Sequence, residues 1–143
     1  MGWAYLTKNF FNLINKTMKN KILLIIARQN NKIVAGALNF IGKDTLYGRN
    51  WGSIVDIPFL HFELCYYQAI EYAIDNNIRI VEAGAQGHHK IQRGYVAETI
   101  YSSHLIQNQS FAKAVRNFVQ LEAKEIDKQI QLINEQGSPY SNI

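Results

Sequence analysis

The stretch PFLHFELCYYQAIEYAIDNNIRIVEA, residues 58–83, most constrains how this chain can fold. Its first part is apolar on nearly every side at helical spacing, so we expect a helix that buries most of its surface. Asn76-Asn77 ends that helix before the short β-prone run NIRIVEA. Another β-prone run, TLYGRNWG at residues 45–52, precedes it. Because a helix joining two strands of one sheet makes a right-handed crossover, the two strands are predicted to be parallel neighbours.

The residues before this unit predict an antiparallel meander. Thr7 is placed to cap a first helix whose apolar residues recur at three- and four-residue spacing. The runs KILLIIARQ and KIVAGALNFIG are joined by Asn30-Asn31, a pair that tolerates the positive φ of a tight hairpin. Gly42-Lys43-Asp44 then turns the chain into a third strand. The predicted class is α+β, a mixed sheet flanked by helices.

The carboxy-terminal part predicts one more strand and a long helix. The run YVAETIYSSHLI is predicted to be a strand, and an amphipathic helix is predicted to begin near Ser110. We expect one domain over residues 1–136 and a frayed tail over 137–143. The predicted buried stripe of the helix consists of Phe111, Val115, Phe118, Ile126, Ile130 and Ile133.

Composition bounds the function without selecting one. The chain has 143 residues, of which 48% are apolar, and a net charge of +4 that is compatible with an anionic partner. Its single cysteine, Cys65, excludes an internal disulfide. The longest apolar run, ILLIIA, is far shorter than the roughly 20 residues of a membrane helix, and the amino end lacks the order of a secretory signal. We therefore expect a cytoplasmic protein without a membrane span.

The loop EAGAQGHHKIQRGY, residues 82–95, is the first candidate site. Glycines let backbone N–H groups converge on an anion, lysine and arginine add fixed charge, and histidines titrate near neutral pH. The loop also leaves the carboxyl end of a parallel strand, where open α/β sheets bind ligands. A solvated turn accounts equally well for its composition. The candidate residues of this loop are Gly84, Gly87, His88, His89, Lys90 and Arg93.

Two other features are weaker candidates. In GRNWG, Arg49 and Gly52 could approach a phosphate, although a packed connection from strand to helix is the favoured alternative. Glu63 and Glu82 adjoin apolar runs, where a buried carboxylate needs a partner or acquires a raised pKa suited to a base. Structural pairing is the commoner outcome. His61 and Cys65 stand four apart, but no spacing supports a metal site or a Cys/His nucleophile, and neither is predicted.

Four motifs together carry a resemblance to a known family. LYGRNWG, PFLHFELCYYQAIEYAI, VEAGAQGHHKIQRGY and YSSHLI closely resemble the carboxy-terminal part of bacterial GNAT-type N-acyltransferases that are also called FemAB-like, peptidoglycan biosynthesis/recognition. The resemblance covers nearly the whole chain. It implies a GNAT-like fold in which acyl-CoA lies where one strand splays from its parallel neighbour. It also implies the carboxy-terminal half of a split or truncated protein, which either works with a partner chain that supplies the other half or is inactive.

The resemblance leaves the acyl donor open. Arg49 to Gly52 matches the start of the GNAT pyrophosphate signature, which fails at Ile54. Lys90 to Gly94 is similar to the lysine-glycine stretch of Fem-type enzymes, which use aminoacyl-tRNA. The donor is thus acyl-CoA, such as acetyl-CoA, or an aminoacyl-tRNA.

The implied reaction is acyl transfer to an amine of a small molecule or peptide. The resemblance suggests Glu63, His88 or His89 for proton transfer. Two alternatives stay open: a non-catalytic remnant or subunit, and an RNA-binding module. The residues implied in donor binding are Arg49, Gly52, Gly84, Gly87, Lys90, Arg93 and Gly94.

Overall fold

The computed structural model describes residues 6–84 and 87–136, apart from the side chains of His88 and Gln136. The chain forms two compact units, Met1–Gly84 and Ala85–Ile143. The first unit carries the sheet, and the second carries a short 3-10 helix and a long α-helix. The predicted frayed tail lies outside the described residues.

The first unit contains its helices and strands in the predicted order: a helix, three consecutive strands, a crossover helix and a fourth strand. A crossover helix joins its last two strands and consists of three consecutive segments, α2, a π-helical segment and α3. The elements are α1 (Lys8–Thr17), a 3-10 turn (Lys19–Lys21), β1 (Ile22–Gln29), β2 (Lys32–Ile41), β3 (Thr45–Ser53), α2 (Leu60–Phe62), the π-helical segment (Glu63–Tyr67), α3 (Gln68–Asp75) and β4 (Ile80–Glu82).

The four strands form one mixed sheet in the order β1-β2-β3-β4. β1 pairs with β2 and β2 with β3 in antiparallel fashion, whereas β3 and β4 are parallel. This arrangement confirms the α+β class, the meander and the βαβ unit.

Local signals in the sequence set the turns and helix ends. Asn30 and Asn31 have φ values of 49° and 62°, as the predicted hairpin requires. The Thr7 hydroxyl accepts a hydrogen bond from the Phe10 N–H at 3.4 Å and caps α1. Asn76 caps α3, and Asn77 follows with a φ of 55°. These three predictions are confirmed.

The core of the first unit lies between the sheet and the crossover helix. Ala35 and Ala37 of β2 are buried against Leu64. Their small side chains leave room for the helix to approach the strand closely. The helix buries one face rather than most of its surface, because Tyr67 and Ile74 are exposed. The prediction that it is buried nearly all round is therefore wrong at these positions.

The second unit differs from the sequence expectation in one element. It contains a 3-10 helix (His88–Arg93) and α4 (Gln109–Gln136), but residues 95–106 form no strand. Apolar side chains in this stretch are exposed, Tyr101 by 94%, and no neighbouring strand pairs with it. Instead the Asn134 side chain accepts from the Ala97 N–H and donates to the Ala97 carbonyl, both at 2.8 Å. A β-prone run without a partner strand does not become a strand.

The long helix α4 forms where it was predicted. The Asn108 side chain accepts a hydrogen bond from the Phe111 N–H at 2.9 Å near its first turn. The expected buried stripe is only partly formed, because Phe111, Phe118 and Ile126 are exposed.

Candidate functional site

An irregularity in the sheet shapes the candidate site. Between β2 and β3 the register shifts: Leu38 faces Asn50, whereas Asn39 faces Gly48. Arg49 is therefore an extra residue on β3. A bulge of this kind leaves the extra residue outside the regular ladder and redirects the side chains around it.

The pairing of the parallel strands ends at the same place. β3 and β4 pair at only three positions, and the last pair is Tyr47 with Glu82. The next residue of β3, Gly48, approaches the β4 backbone closely, because a Cβ added there would lie 3.4 Å from the Glu82 carbonyl oxygen. β4 ends at Glu82, so the two strands are not paired beyond this point.

A cavity of about 140 Å³ lies where this pairing ends, within the first unit. Residues of β2 and β3, the crossover helix and the end of β4 contribute to its wall. The lining residues are Ala37, Leu38, Asn39, Gly48, Arg49, Asn50, Trp51, His61, Cys65, Tyr66 and Ala83. A larger depression of about 210 Å³ runs along the Tyr67–Asp75 face of the crossover helix alone, and it gathers no comparable set of polar groups.

Two asparagines give the cavity wall its polar character. Asn39 is only 2% exposed, and its amide donates to the Ala37 carbonyl at 3.4 Å and the Leu23 carbonyl at 3.5 Å. The Oδ1 atom of Asn50 is buried, and no group among the described residues donates a hydrogen bond to it. A buried acceptor without a donor costs about 1–3 kcal/mol, so it is a natural place for a ligand N–H or O–H.

The crossover helix supplies an aromatic and titratable wall. The His61 ring packs edge-on against Trp51 at 5.4 Å and Tyr66 at 5.5 Å between ring centroids. Cys65 and Tyr66 lie in the π-helical segment, an irregularity that is frequent at functional sites. Phe59, just before the helix, has a φ of 65°, which is unfavourable for an aromatic residue.

The Cys65 thiol is not prepared for nucleophilic attack. Burial raises the pKa of Cys65 to about 11. Since the thiolate is the nucleophile, a thiol that stays protonated at neutral pH is a poor one. Cys65 is therefore not assigned as a nucleophile of this cavity.

The predicted residues of the first unit separate into two groups. Arg49 lines the cavity. Gly52 and Glu63 do not, and Glu63 is exposed and accepts a hydrogen bond from the Gln68 amide at 3.0 Å. Gly84 follows the cavity residue Ala83 and has a φ of 77°, which favours glycine.

The predicted residues of the second unit form a compact 3-10 turn. Gly87 and Gly94 flank it with φ values of 112° and 84°. The Lys90 N–H donates to the Gly87 carbonyl at 3.0 Å, and burial lowers the pKa of the Lys90 side chain. The Arg93 guanidinium donates to the His89 carbonyl at 2.6 Å. His88 begins the turn, but its side chain lies outside the described part of the structure.

Sequence reasoning overlooked three residues of the cavity wall. Asn39, Asn50 and His61 were not predicted as site residues. Of the three, only His61 could have been found from the sequence, because it stands one helical turn before Cys65 on a helix that follows Trp51. The roles of the asparagines depend on the bulge at Arg49, which no local pattern marks.

Over residues 6–84 and 87–136, no group of three or more His, Cys, Asp or Glu side chains is arranged to hold a metal ion. In the same ranges, no helix has the length and apolar character needed to cross a bilayer.

Comparison with known proteins identifies a family over nearly the full chain. The sequence model of the FemAB-like family, described as peptidoglycan biosynthesis/recognition, matches residues 1–142. Searches of curated proteins and of solved structures returned no match. The chain belongs to the FemAB-like family, and this membership implies a role in bacterial peptidoglycan biosynthesis or recognition.

Proposed function

We propose that the chain carries the acyl-transfer site of an N-acyltransferase with a GNAT-like fold, acting in peptidoglycan biosynthesis. The observation that carries this proposal is the polar cavity that lies where the pairing of β3 with β4 ends, after the Tyr47–Glu82 pair. Beyond this pair, β4 no longer supplies hydrogen-bond partners for the backbone groups of β3. Such groups can bind an extended donor and its reacting carbonyl.

The size of the cavity fits the reactive end of the donor. Pockets that enclose whole ligands measure about 300–1,000 Å³, so about 140 Å³ accommodates an acyl or aminoacyl group rather than a complete coenzyme or tRNA end. When bound, acyl-CoA or aminoacyl-tRNA supplies an activated carbonyl. Arg49, exposed beside this cavity, can attract the phosphate groups of either donor.

The cavity residues have complementary roles in the proposed transfer. Backbone N–H groups released by the bulge at Arg49 stabilise negative charge on the carbonyl oxygen. Asn50 Oδ1 accepts a hydrogen bond from the acceptor amine and orients its lone pair. The His61 imidazole takes the proton that the amine loses. As the new C–N bond forms, the C–S or C–O bond of the donor breaks, and the thiol of coenzyme A or the hydroxyl of tRNA leaves with a proton. No nucleophile from the protein is required.

The site residues predicted from the sequence keep two predicted roles in this proposal, proton transfer and donor binding. Glu63, His88 and His89 stay predictions for proton transfer, in addition to the His61 proposed here. Within the second unit, the residues predicted to bind donor phosphates combine two cations with two glycines at positive φ, a backbone conformation found in anion-binding nests. They are Gly87, Lys90, Arg93 and Gly94, whereas Gly84 and Gly52 are the predicted glycines of the first unit.

The test compares donor binding among matched variants. Thermal shift is measured with acetyl-CoA, coenzyme A and aminoacyl-tRNA for the wild type, Arg49→Ala and Asn50→Leu. Arg79→Ala is the control, since Arg79 is an exposed cation that does not line the cavity. We expect Arg49→Ala to reduce the shift and Arg79→Ala to preserve it. No shift with any donor would overturn the proposal.

A second series identifies the base. His61→Gln, Glu63→Gln and His89→Gln are compared by the rate of acyl transfer to a small amine at several pH values. We expect only His61→Gln to lower the rate strongly, by about 10²–10⁴-fold. If Glu63→Gln or His89→Gln lowers the rate of acyl transfer instead, the substituted residue is the base, as the sequence suggested.

A non-catalytic subunit is the second candidate function. The edge strand β1 exposes Leu24 and Ile26, and no strand pairs with its outer edge within the described sheet. An unpaired apolar edge is a ready site for a strand of a partner chain. Co-purification of a partner, together with the absence of donor binding by the chain alone, would favour this function.

A further inference from the structure

The basic residues of the chain are distributed unevenly. Residues 1–43 contain seven of the fifteen lysines and arginines and none of the eleven acidic residues. The first carboxylate is Asp44, after the second strand. A charge asymmetry of this size between parts of a chain is typical of proteins that bind an extended anionic surface.

The α1 helix combines this charge with exposed apolar side chains. At 100° per residue, Lys8, Asn12 and Lys16 lie on one face, and Phe10 and Ile14 lie on the opposite face. Ile14 on the apolar face is buried. The helix is therefore strongly amphipathic, with a lysine-bearing polar face.

The edges of the apolar face stay in contact with solvent. Phe11 is 42% exposed and Leu13 is 59% exposed, and they lie on the two sides of Ile14. Met18, seven residues after Phe11 and just past the helix end, is 40% exposed. Apolar side chains in this position are available for insertion into a boundary between water and lipid.

The turn after α1 adds two more cations. Lys19 and Lys21 lie in the 3-10 turn and are exposed, as is Lys16 in the last turn of α1. None of these three lysines forms an ion pair within the described residues. Their long side chains can extend to phosphate groups while the neighbouring apolar side chains enter the lipid.

We propose that residues 8–21, α1 and the following 3-10 turn, bind the surface of an anionic lipid bilayer. The lysines bind lipid phosphate groups, and Phe11, Leu13 and Met18 enter the boundary between headgroups and acyl chains. A nucleic acid would use the same lysines, but it would gain little from an apolar helix edge. The inference does not depend on acyl transfer, since none of these residues lines the cavity.

The test is sedimentation of the full chain with lipid vesicles. Vesicles of phosphatidylcholine alone are compared with vesicles that also contain phosphatidylglycerol. We expect binding only to the anionic vesicles, decreasing as salt rises because exposed charges are screened. Neutralising Lys16, Lys19 and Lys21 to Gln should lower the partition coefficient about fivefold per lysine, and about a hundredfold in the triple variant.

Two further variants separate a lipid surface from simple charge attraction. Phe11→Asn with Leu13→Asn keeps the charge and should lower vesicle binding at least about tenfold. The control neutralises Lys113, Lys124 and Lys128, three exposed lysines of α4, and should bind like the wild type. Circular dichroism verifies that each variant is folded.

Three outcomes would overturn the proposal. One is equal binding to neutral and anionic vesicles, or none to either. Another is an equal loss of binding in the α4 control. The third is weaker vesicle binding in the lysine variants with no change in the variant that carries Phe11→Asn and Leu13→Asn. If the lysine variants also bind bulk tRNA more weakly, the partner is a nucleic acid.

Discussion

The pKa of the Cys65 thiol depends on how far this side chain is buried in the cavity wall. Its pKa is about 11, compared with 9.0 for an exposed thiol, because burial disfavours the thiolate. Between these two pH values the unfolded chain releases a proton that the folded chain keeps. The contribution of Cys65 to stability is therefore constant below pH 9 and decreases as the pH rises toward 11.

Alkylation of Cys65 measures this environment directly. We expect iodoacetamide to react slowly with the folded protein at pH 8 to 9, and faster as the pH approaches 11. In denaturant the rate should reach half of its maximum near pH 9. Chemical denaturation of a Cys65→Ser variant and of the wild type at the same pH values gives the part of the pH dependence of stability that comes from the thiol. Lysines and tyrosines, which titrate in the same pH range, contribute equally to both proteins. Rapid alkylation of the folded chain at pH 8 would contradict the burial of this side chain.

Gly87 is a second residue whose role follows from its surroundings. Its φ is 112°, and a Cβ added there would lie 2.6 Å from the His89 ring. We expect Gly87→Ala to destabilise the protein by about 1–3 kcal/mol. Gly52→Ala is the matched control, because a Cβ there meets no atom within 4 Å. Thermal melting of both variants tests this, and equal melting temperatures would show that the turn adapts freely.

The turn between β2 and β3 is the element on which the register of the meander depends. The Gly42 N–H donates to the Thr45 carbonyl at 2.8 Å, and this bond closes the turn. A Cβ at Gly42 would lie 3.0 Å from that same carbonyl oxygen and 2.9 Å from the Tyr47 ring. Since the backbone cannot yield as a flexible side chain would, this turn accepts little besides glycine.

Substitution at Gly42 is therefore expected to weaken the sheet. Gly42→Ala should lower the free energy of unfolding by about 1–3 kcal/mol. Gly36→Ala in the middle of β2 is the control, because its added methyl meets neighbours at 3.6–3.8 Å, an ordinary contact distance. Urea denaturation of the two variants gives the comparison, and a loss in Gly36→Ala as large as in Gly42→Ala would refute this account.

Elements were predictable from the sequence where their signals are local. The Asn30-Asn31 hairpin, the Thr7 cap and the end of the crossover helix each depend on one or two residues and their neighbours. The bulge at Arg49 depends on how two strands align, and the stretch 95–106 needed a partner strand that the sheet does not supply. Such features arise from contacts between distant residues, which local periodicity does not encode.

The attachment of residues 95–108 to α4 gives a further prediction for an element. The two bonds between Asn134 and Ala97 imitate a pair of strand hydrogen bonds. Asn134→Ala should remove both and increase the exchange rate of the Ala97 amide hydrogen, at a cost of about 1–3 kcal/mol in stability. Gln131→Ala, an exposed position on the same helix, should leave that amide unchanged. Unaltered exchange in Asn134→Ala would rule out this attachment.

At the scale of the whole molecule, the chain forms two compact units, and the residues predicted for the site fall in both. Arg49 and Gly84 belong to the first unit, whereas Lys90 and Arg93 belong to the second. The order strand, helix and strand predicted the parallel pair of strands near the first group, and the structure confirms that pair. A single domain over 1–136 and a joint role for both groups stay predictions.

The net charge of the whole chain gives a prediction about RNA. A net charge of +4 attracts bulk deacylated tRNA, which is a polyanion, at low salt but does not form a specific site. We expect any binding to fall by at least tenfold between about 50 and 200 mM salt, since it depends on counterion release. Filter binding at both salt concentrations measures this. Binding that persists at the higher salt would support aminoacyl-tRNA as the donor.

The brevity of β4 has a consequence for how this sheet can diversify. A strand attached at only three positions is easily shortened or lengthened by one residue, while the meander beside it stays intact. Each such change would move the place where the pairing with β3 ends by about 3.3 Å. Trimming or extending this single edge would therefore change the wall of the adjacent cavity, with no alteration to the rest of the scaffold.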